Sequence, residues 1–304
     1  NRSTDRKKFW HKEIGQALEG VYPESLDELS GELAEHFELA QQWEKAITYA
    51  MRAGARATHS YAYGAAQRFY AKAIELFDAL ERDRPLSAQW QRTRLELYRR
   101  YLSREVFPTI YDLRNSSEQI QNVIAQMIAT AQKLNDLEAL CEAHQHRARV
   151  ELACGRLQAA QESMQHALSV AHQAQCPTVI ADVLQGVASL RARCGEHQQA
   201  VRDFQRYAEA LAPLGDARRL GYALNDLALV QRACGEFAQA QQSLARADEH
   251  FRTIGDLWGQ AAVSENMGCI LRDLGRYARK PRAIWSAPWS SIVPQGTSAG
   301  SGAA

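Results

Sequence analysis

The chain has 304 residues, 36 basic against 35 acidic for a formal charge of +1, and apolar residues make up 46% of it. So even a balance argues against the concentrated positive surface on which nucleic-acid binding rests, and no apolar run approaches the roughly 18 residues a membrane span needs. No signal peptide is expected from the charged stretch at its start, Pro is scarce at 8 residues while Ala, Leu, Gln, Glu and Arg abound, and period-two runs of Val, Ile and Thr are lacking, so helices are expected and sheets are not.

Residues 1–30 are charged and helix-prone, and a start at Asn1 instead of Met reads as a piece of something longer. The basic clusters at 2–8 and 99–104 are short and read as solvated helix faces. Over 31–80, Leu33, Ala34, Phe37, Ala40, Trp43, Ala46 and Tyr49 recur at helical spacing, as do Tyr63, Ala66, Tyr70, Ala73 and Phe77. The spacing predicts helices near 31–40, 43–59 and 63–80, the last broken by the 82–85 stretch with its Pro85. Residues 81–134 read as a degenerate helix pair, near 92–104 and 120–134, separated by an irregular insertion around Pro108.

The strongest signal lies in 135–277, where Gly155, Gly195, Gly235 and Gly275 fall 40 residues apart. Seven residues before each stands a small side chain, Ala148, Ala188, Ala228 and Gly268. Five after come Ala160, Ala200 and Ala240, with Lys280 breaking the fourth copy, and nine after come Met164, Phe204 and Leu244. Each unit closes at a turn, Asn135-Asp136, Gly215-Asp216 or Gly255-Asp256, with Gln175-Cys176-Pro177 in the equivalent place. Small residues allow two helices to approach closely, and the glycine ends the first helix in the left-handed conformation. One such pair cannot bury its apolar face alone, so stacking is obligatory. The expected fold is all-α, a right-handed superhelical solenoid of helix pairs with a 40-residue period.

After Tyr277 the composition shifts abruptly, with three prolines, two tryptophans and several Ser and Gly in 278–304, and Lys280-Pro281 stands where a second helix is due. Two readings are open: a natural disordered extension, or out-of-frame translation, which a shift in mid-repeat favours. Either leaves apolar surface around Met267 and Ile270 uncovered.

The order small residue, Gly, aromatic (Phe237, Tyr277), Ala and large apolar residue resembles the tetratricopeptide consensus. Its departures are Leu157 and His197 at the aromatic position, and His144 and Ser264 where the consensus has a large aromatic, which imply looser packing. A second resemblance covers residues 7–80: the run from Phe9 through Trp10 and Ile14 to Glu19, then Leu29 to Phe37, then Trp43-Glu44-Lys45-Ala46. It is similar to the junction after the ATPase module in bacterial signal-transduction ATPases with numerous domains, including cyclase-linked and transcription-activator types. The resemblance implies that 1–30 ends an ATPase-associated helical region, that 31–80 is a helical junction leading into the repeats, and that an ATPase precedes them in the parent chain. No GxxxxGK[ST] occurs in the sequence itself.

Candidate chemistry is thin. Cys154, Cys194 and Cys234 share one repeat position with Leu274, so that site asks for an apolar side chain. The six cysteines show no CxxC pair and read as free thiols of a reducing cytoplasm. Cys141 and His144 share a helix face, but zinc needs three or four converging ligands. The nine histidines form no HExxH, and the acids sit beside Lys and Arg on helix faces. No catalytic, metal-ligating or cofactor-binding residue is assigned, and no enzyme activity or cofactor is expected.

What remains is an inner wall. In tetratricopeptide superhelices the resemblance places it at first-helix positions three before, one after and four after the small residue. Those positions include Gln145, Arg149, Gln185, Asn225, Arg232, Glu265 and Arg272, amides and charged groups suited to a peptide backbone and its side chains. The Lys and Asn clamp by which chaperone-binding relatives hold a terminal carboxylate is not reproduced. The resulting expectation is a cytoplasmic interaction and sensing scaffold, with a protein or peptide ligand in the concave groove and no nucleic acid or membrane contact. A free-standing adaptor that assembles other proteins is the alternative.

Overall fold

A computed structural model describes residues 2–103, 105–107 and 109–275. Every regular element among them is helical: α1 (Arg2–Val21), α2 (Ser30–Leu39), α3 (Trp43–His59), α4 (Tyr63–Asp83), α5 (Ala88–Tyr101), α6 (Ile110–Asn115), α7 (Ser117–Leu134), α8 (Leu137–Ala153), α9 (Leu157–Ala174), α10 (Pro177–Arg193), α11 (His197–Leu211), α12 (Ala217–Ala233), α13 (Phe237–Thr253) and α14 (Leu257–Asp273). Short 3-10 turns follow α1 and α11. The expected second helix of the fourth copy and the 278–304 tail lie outside the described residues.

The chain divides into two compact units at 174/175. In the first, α3 packs on α4, α8 on α9, and α2, α5 and α7 on their neighbours in sequence. Their apolar faces merge into one core in which Leu33, Phe37, Ile47, Phe77, Tyr98, Tyr101, Ile120 and Ile124 are almost wholly buried. Burial of each such side chain contributes about 1.5–3 kcal/mol, which a lone pair of helices could not collect. Inside this core Arg94 is buried too, paired with Asp78 at 2.5 Å and Glu81 at 2.7 Å, its guanidinium over the Phe77 and Tyr98 rings.

In the second unit α10 pairs with α11, α11 packs on α12, α12 pairs with α13 and α13 packs on α14. Ala188, Ala200, Ala228 and Ala240 are buried to 1% exposure or less, as close helix approach requires, and Phe204 and Leu244 fill the space beside them. Gly268 is only half-buried. Phe251 sits so tightly against α12 and α14 that a Cβ at Gly221 would come within 2.7 Å of its ring, and one at Gly259 closer still.

The 40-residue rhythm has a structural cause at both ends of the first helices. Gly155, Gly195, Gly235 and Gly275 have φ of 78°, 80°, 79° and 65°. Beyond the glycine the chain closes on the helix: Arg156 N donates to Glu151 O at 2.8 Å, and Glu196 N to Arg191 O and Glu236 N to Gln231 O at 2.9 Å. At the other end Asp136, Asp216 and Asp256 accept from the Ala139, Arg219 and Gly259 amides at 2.9, 3.0 and 3.1 Å, so the aspartates of the closing turns are helix N-caps. Cys176 makes no such bond, and Pro177 starts α10 instead.

The first half departs more from the sequence-based boundaries. The helix expected near 92–104 spans Ala88–Tyr101, because the Ser87 hydroxyl accepts from Trp90 N at 3.3 Å and starts it early. The insertion holds a short helix, α6, whose Thr109 and Asp112 cap each other's backbone amides at 3.1 Å.

Candidate functional site

Pairing of successive helices buries most of each first helix and leaves one polar strip. In the second unit that strip runs over α10, α12 and α14, and side-chain bonds tie the three together. Arg219 of α12 pairs with Asp182 of α10. Toward α14, Asn266 Nδ2 donates to Asn225 Oδ1 at 2.8 Å and Arg232 Nε donates to Asp273 Oδ2 at 2.6 Å. Each bond joins first helices about one repeat apart in sequence, by a different pair of residues.

The seven expected groove residues meet different fates. Asn225 is buried at 6% exposure, its carboxamide oxygen committed to Asn266. Arg232 is half-buried and held by Asp273. Gln185 and Glu265 are exposed, as is Arg272, whose guanidinium lies 3.5 Å from Cys269 Sγ. In the first unit Gln145 is half-buried, and Arg149 reaches back to donate to the Leu102 carbonyl at the end of α5. Asn225, Arg149 and Arg232 thus hold helices in place, leaving Gln185, Glu265 and Arg272 as the outward groups of the set.

Asp226 was not among the expected residues. It lies half-buried on α12, between Tyr222 one turn before and Leu229 one turn after, which are 37% and 38% exposed. Burial pushes its carboxyl up to about 6, against a hydrogen bond from the Asn225 side chain that pulls the other way. Spacing alone could not find it, since a carboxylate two residues before the small Ala228 looks like any solvated acid.

The consensus departures are accommodated locally. His144 stacks on His166, ring centroids 5.6 Å apart, and desolvation drives its imidazole down to about 4. Cys141 is buried, donates to the Ala167 carbonyl at 3.5 Å, and its thiol is pushed up to about 11. Among the described residues no group of three or more His, Cys, Asp or Glu side chains could hold a metal ion, and no helix is long and apolar enough to cross a membrane.

No protein-family model matches the chain, and neither does any curated protein. Solved structures do. Aspartyl phosphate phosphatase F from Bacillus subtilis superposes with a TM-score of 0.64 at 14% identity, over 82% of this chain and 63% of its own. A signal transduction ATPase with numerous domains from Pyrococcus horikoshii, described as carrying a tetratricopeptide repeat sensor, superposes with a TM-score of 0.50 at 13% identity, over 88% of this chain and 42% of its own. The chain therefore spans less than two thirds of either protein. Helix pairs capped by aspartate, closed by glycine and stacked on their neighbours give this chain the all-α fold of the tetratricopeptide-like solenoid class.

Proposed function

We propose that the chain is a protein-interaction and sensing scaffold whose first-helix strip takes up a peptide or a segment of a partner protein. The observation that carries this reading is the side-chain ladder along α10, α12 and α14. It fixes the spacing of the first helices while Gln185, Glu265 and Arg272 remain directed outward. Preorganised polar groups on a rigid wall bind an extended chain with little ordering cost on the protein's side. Within the first unit, Gln145 and Arg149 are proposed as contacts of that unit's own first helix.

We further propose that the fragment belongs to a multidomain regulator of the ATPase type, in which ligand binding on the repeats biases an ATPase earlier in the parent chain. What supports it is the junction-like segment at 7–80, together with a fold shared with the sensor-bearing ATPase. The first reading is tested by selecting phage-displayed random peptides on the full chain. Selected sequences should bind in solution and lose affinity when Glu265 and Arg272 are reversed in charge; unchanged affinity would place binding elsewhere. The second is tested by the reading frame upstream of Asn1 and by whether a selected peptide alters ATP hydrolysis of the parent protein.

A further inference from the structure

The two buried carboxylates of α10–α14 each have a cation, Asp203 with Arg191 and Asp256 with Arg218 at 3.3 Å. The more exposed Asp182 and Asp273 pair with Arg219 and Arg232. Asp226 is half-buried and takes part in no ion pair among the described residues. The cations of its own helix, Arg218, Arg219 and Arg232, are all engaged by other acids. A partly desolvated carboxylate without a cation is costly. The equivalent positions in the other copies hold His146, Gly186 and Asn266, so the repeat does not require a carboxylate there.

The surroundings of Asp226 are those of a cation receptor. Tyr222, Asp226 and Leu229 stand at i, i+4 and i+7 on one face of α12. The Tyr222 ring is fixed edge-on against the buried Phe251, centroids 4.8 Å apart, and keeps part of its surface open. Asn225, the residue before Asp226, takes the Asn266 donor on its oxygen at 2.8 Å, which fixes α12 against α14 beside the acid. An aromatic and a leucine flanking a carboxylate match a cationic head on an aliphatic stem. Glu265, exposed on the neighbouring α14, adds negative charge to the same strip.

We propose that Asp226 is the specificity point of this strip: it receives the ammonium or guanidinium of a lysine or arginine in the bound peptide, with Tyr222 and Leu229 against the stem. This rests on the reading of the first-helix strip as a peptide-binding surface. Charge complementarity makes the ligand basic at one position, opposite in sign to a terminal carboxylate.

The test selects phage-displayed random peptides on the full chain and, in parallel, on its Asp226→Asn variant. The wild-type pool should carry Lys or Arg at one fixed position, and the variant pool should not. A representative peptide should bind Asp226→Asn roughly tenfold or more weakly. Replacing its basic residue by norleucine should cost the wild type a similar factor and the variant almost nothing. Because the substitution relieves a buried charge, the variant should melt no lower than wild type, which separates lost recognition from lost folding. A wild-type pool with no fixed basic residue, or equal affinity for the two proteins, would overturn cation recognition while leaving the peptide surface standing. Failure to select any peptide on either protein would remove both.

Discussion

Asn266 on α14 donates its carboxamide N–H to the carboxamide oxygen of Asn225 on α12 at 2.8 Å, joining two first helices that belong to successive repeats. Asn225 is buried, so losing this donor leaves an acceptor without a partner. Asn266→Ala should therefore cost about 1–3 kcal/mol in urea unfolding. Asn225→Ala should cost a comparable amount, and the double variant clearly less than the sum, because both changes remove one bond. Additive losses would mean that the two amides act independently.

Asp226 gives the stability a pH dependence of defined sign. Its folded-state value of about 6 lies above the ordinary 3.8, so the folded chain keeps a proton that the unfolded chain has released between roughly pH 4 and 6. Stability attributable to this group is greatest at low pH and declines as pH rises through that window. Asp226→Asn should raise the unfolding free energy at pH 7.5 by about 1–3 kcal/mol and give no gain at pH 4. Thermal melts of the two proteins at both pH values decide it, and a variant less stable at pH 7.5 would refute the assignment.

Backbone conformation at the helix ends offers a matched pair. Gly235 has φ 79° with nothing within 4 Å of a built Cβ, so Gly235→Ala should cost about 1 kcal/mol through strain alone. Gln175 is exposed and holds φ 51° with a side chain, so Gln175→Gly should stabilise by a similar amount. Chemical denaturation of both variants should show shifts of opposite sign.

Phe251 is fully buried where two first helices meet, wedged against Gly221 and Gly259. Phe251→Ala should cost about 3–5 kcal/mol, and Gly259→Ala about 1–3 kcal/mol by overpacking. Combining the two should be milder than their sum, since the smaller residue vacates the space the new methyl needs. Unfolding free energies of the three variants check it.

The second half of the chain was more legible than the first because its cues are periodic. Gly155, Gly195 and Gly235 announced the helix ends, and the buried alanines announced the packing faces. In the first half the same left-handed ends are made by Gln41, Tyr61 and Asn135, with φ of 56°, 58° and 52°, and a glutamine or tyrosine gives no warning of that conformation. The short α6 has no periodic signal of its own, since its six residues make less than two turns and its capping pair, Thr109 and Asp112, follows an irregular stretch around Pro108. The site was legible only as a set of positions. Whether Asn225 points into a groove or into Asn266 depends on the next first helix, one repeat away in sequence, and the burial of Asp226 on packing that its own spacing does not show.

The central claim is that ligands dock on the first-helix strip, and photo-cross-linking tests it most directly. A selected peptide carrying a benzophenone side chain, irradiated on the full chain and mapped by mass spectrometry, should form adducts on α12 and α14 around Tyr222, Leu229 and Glu265. Adducts confined to α11 and α13 would contradict the account.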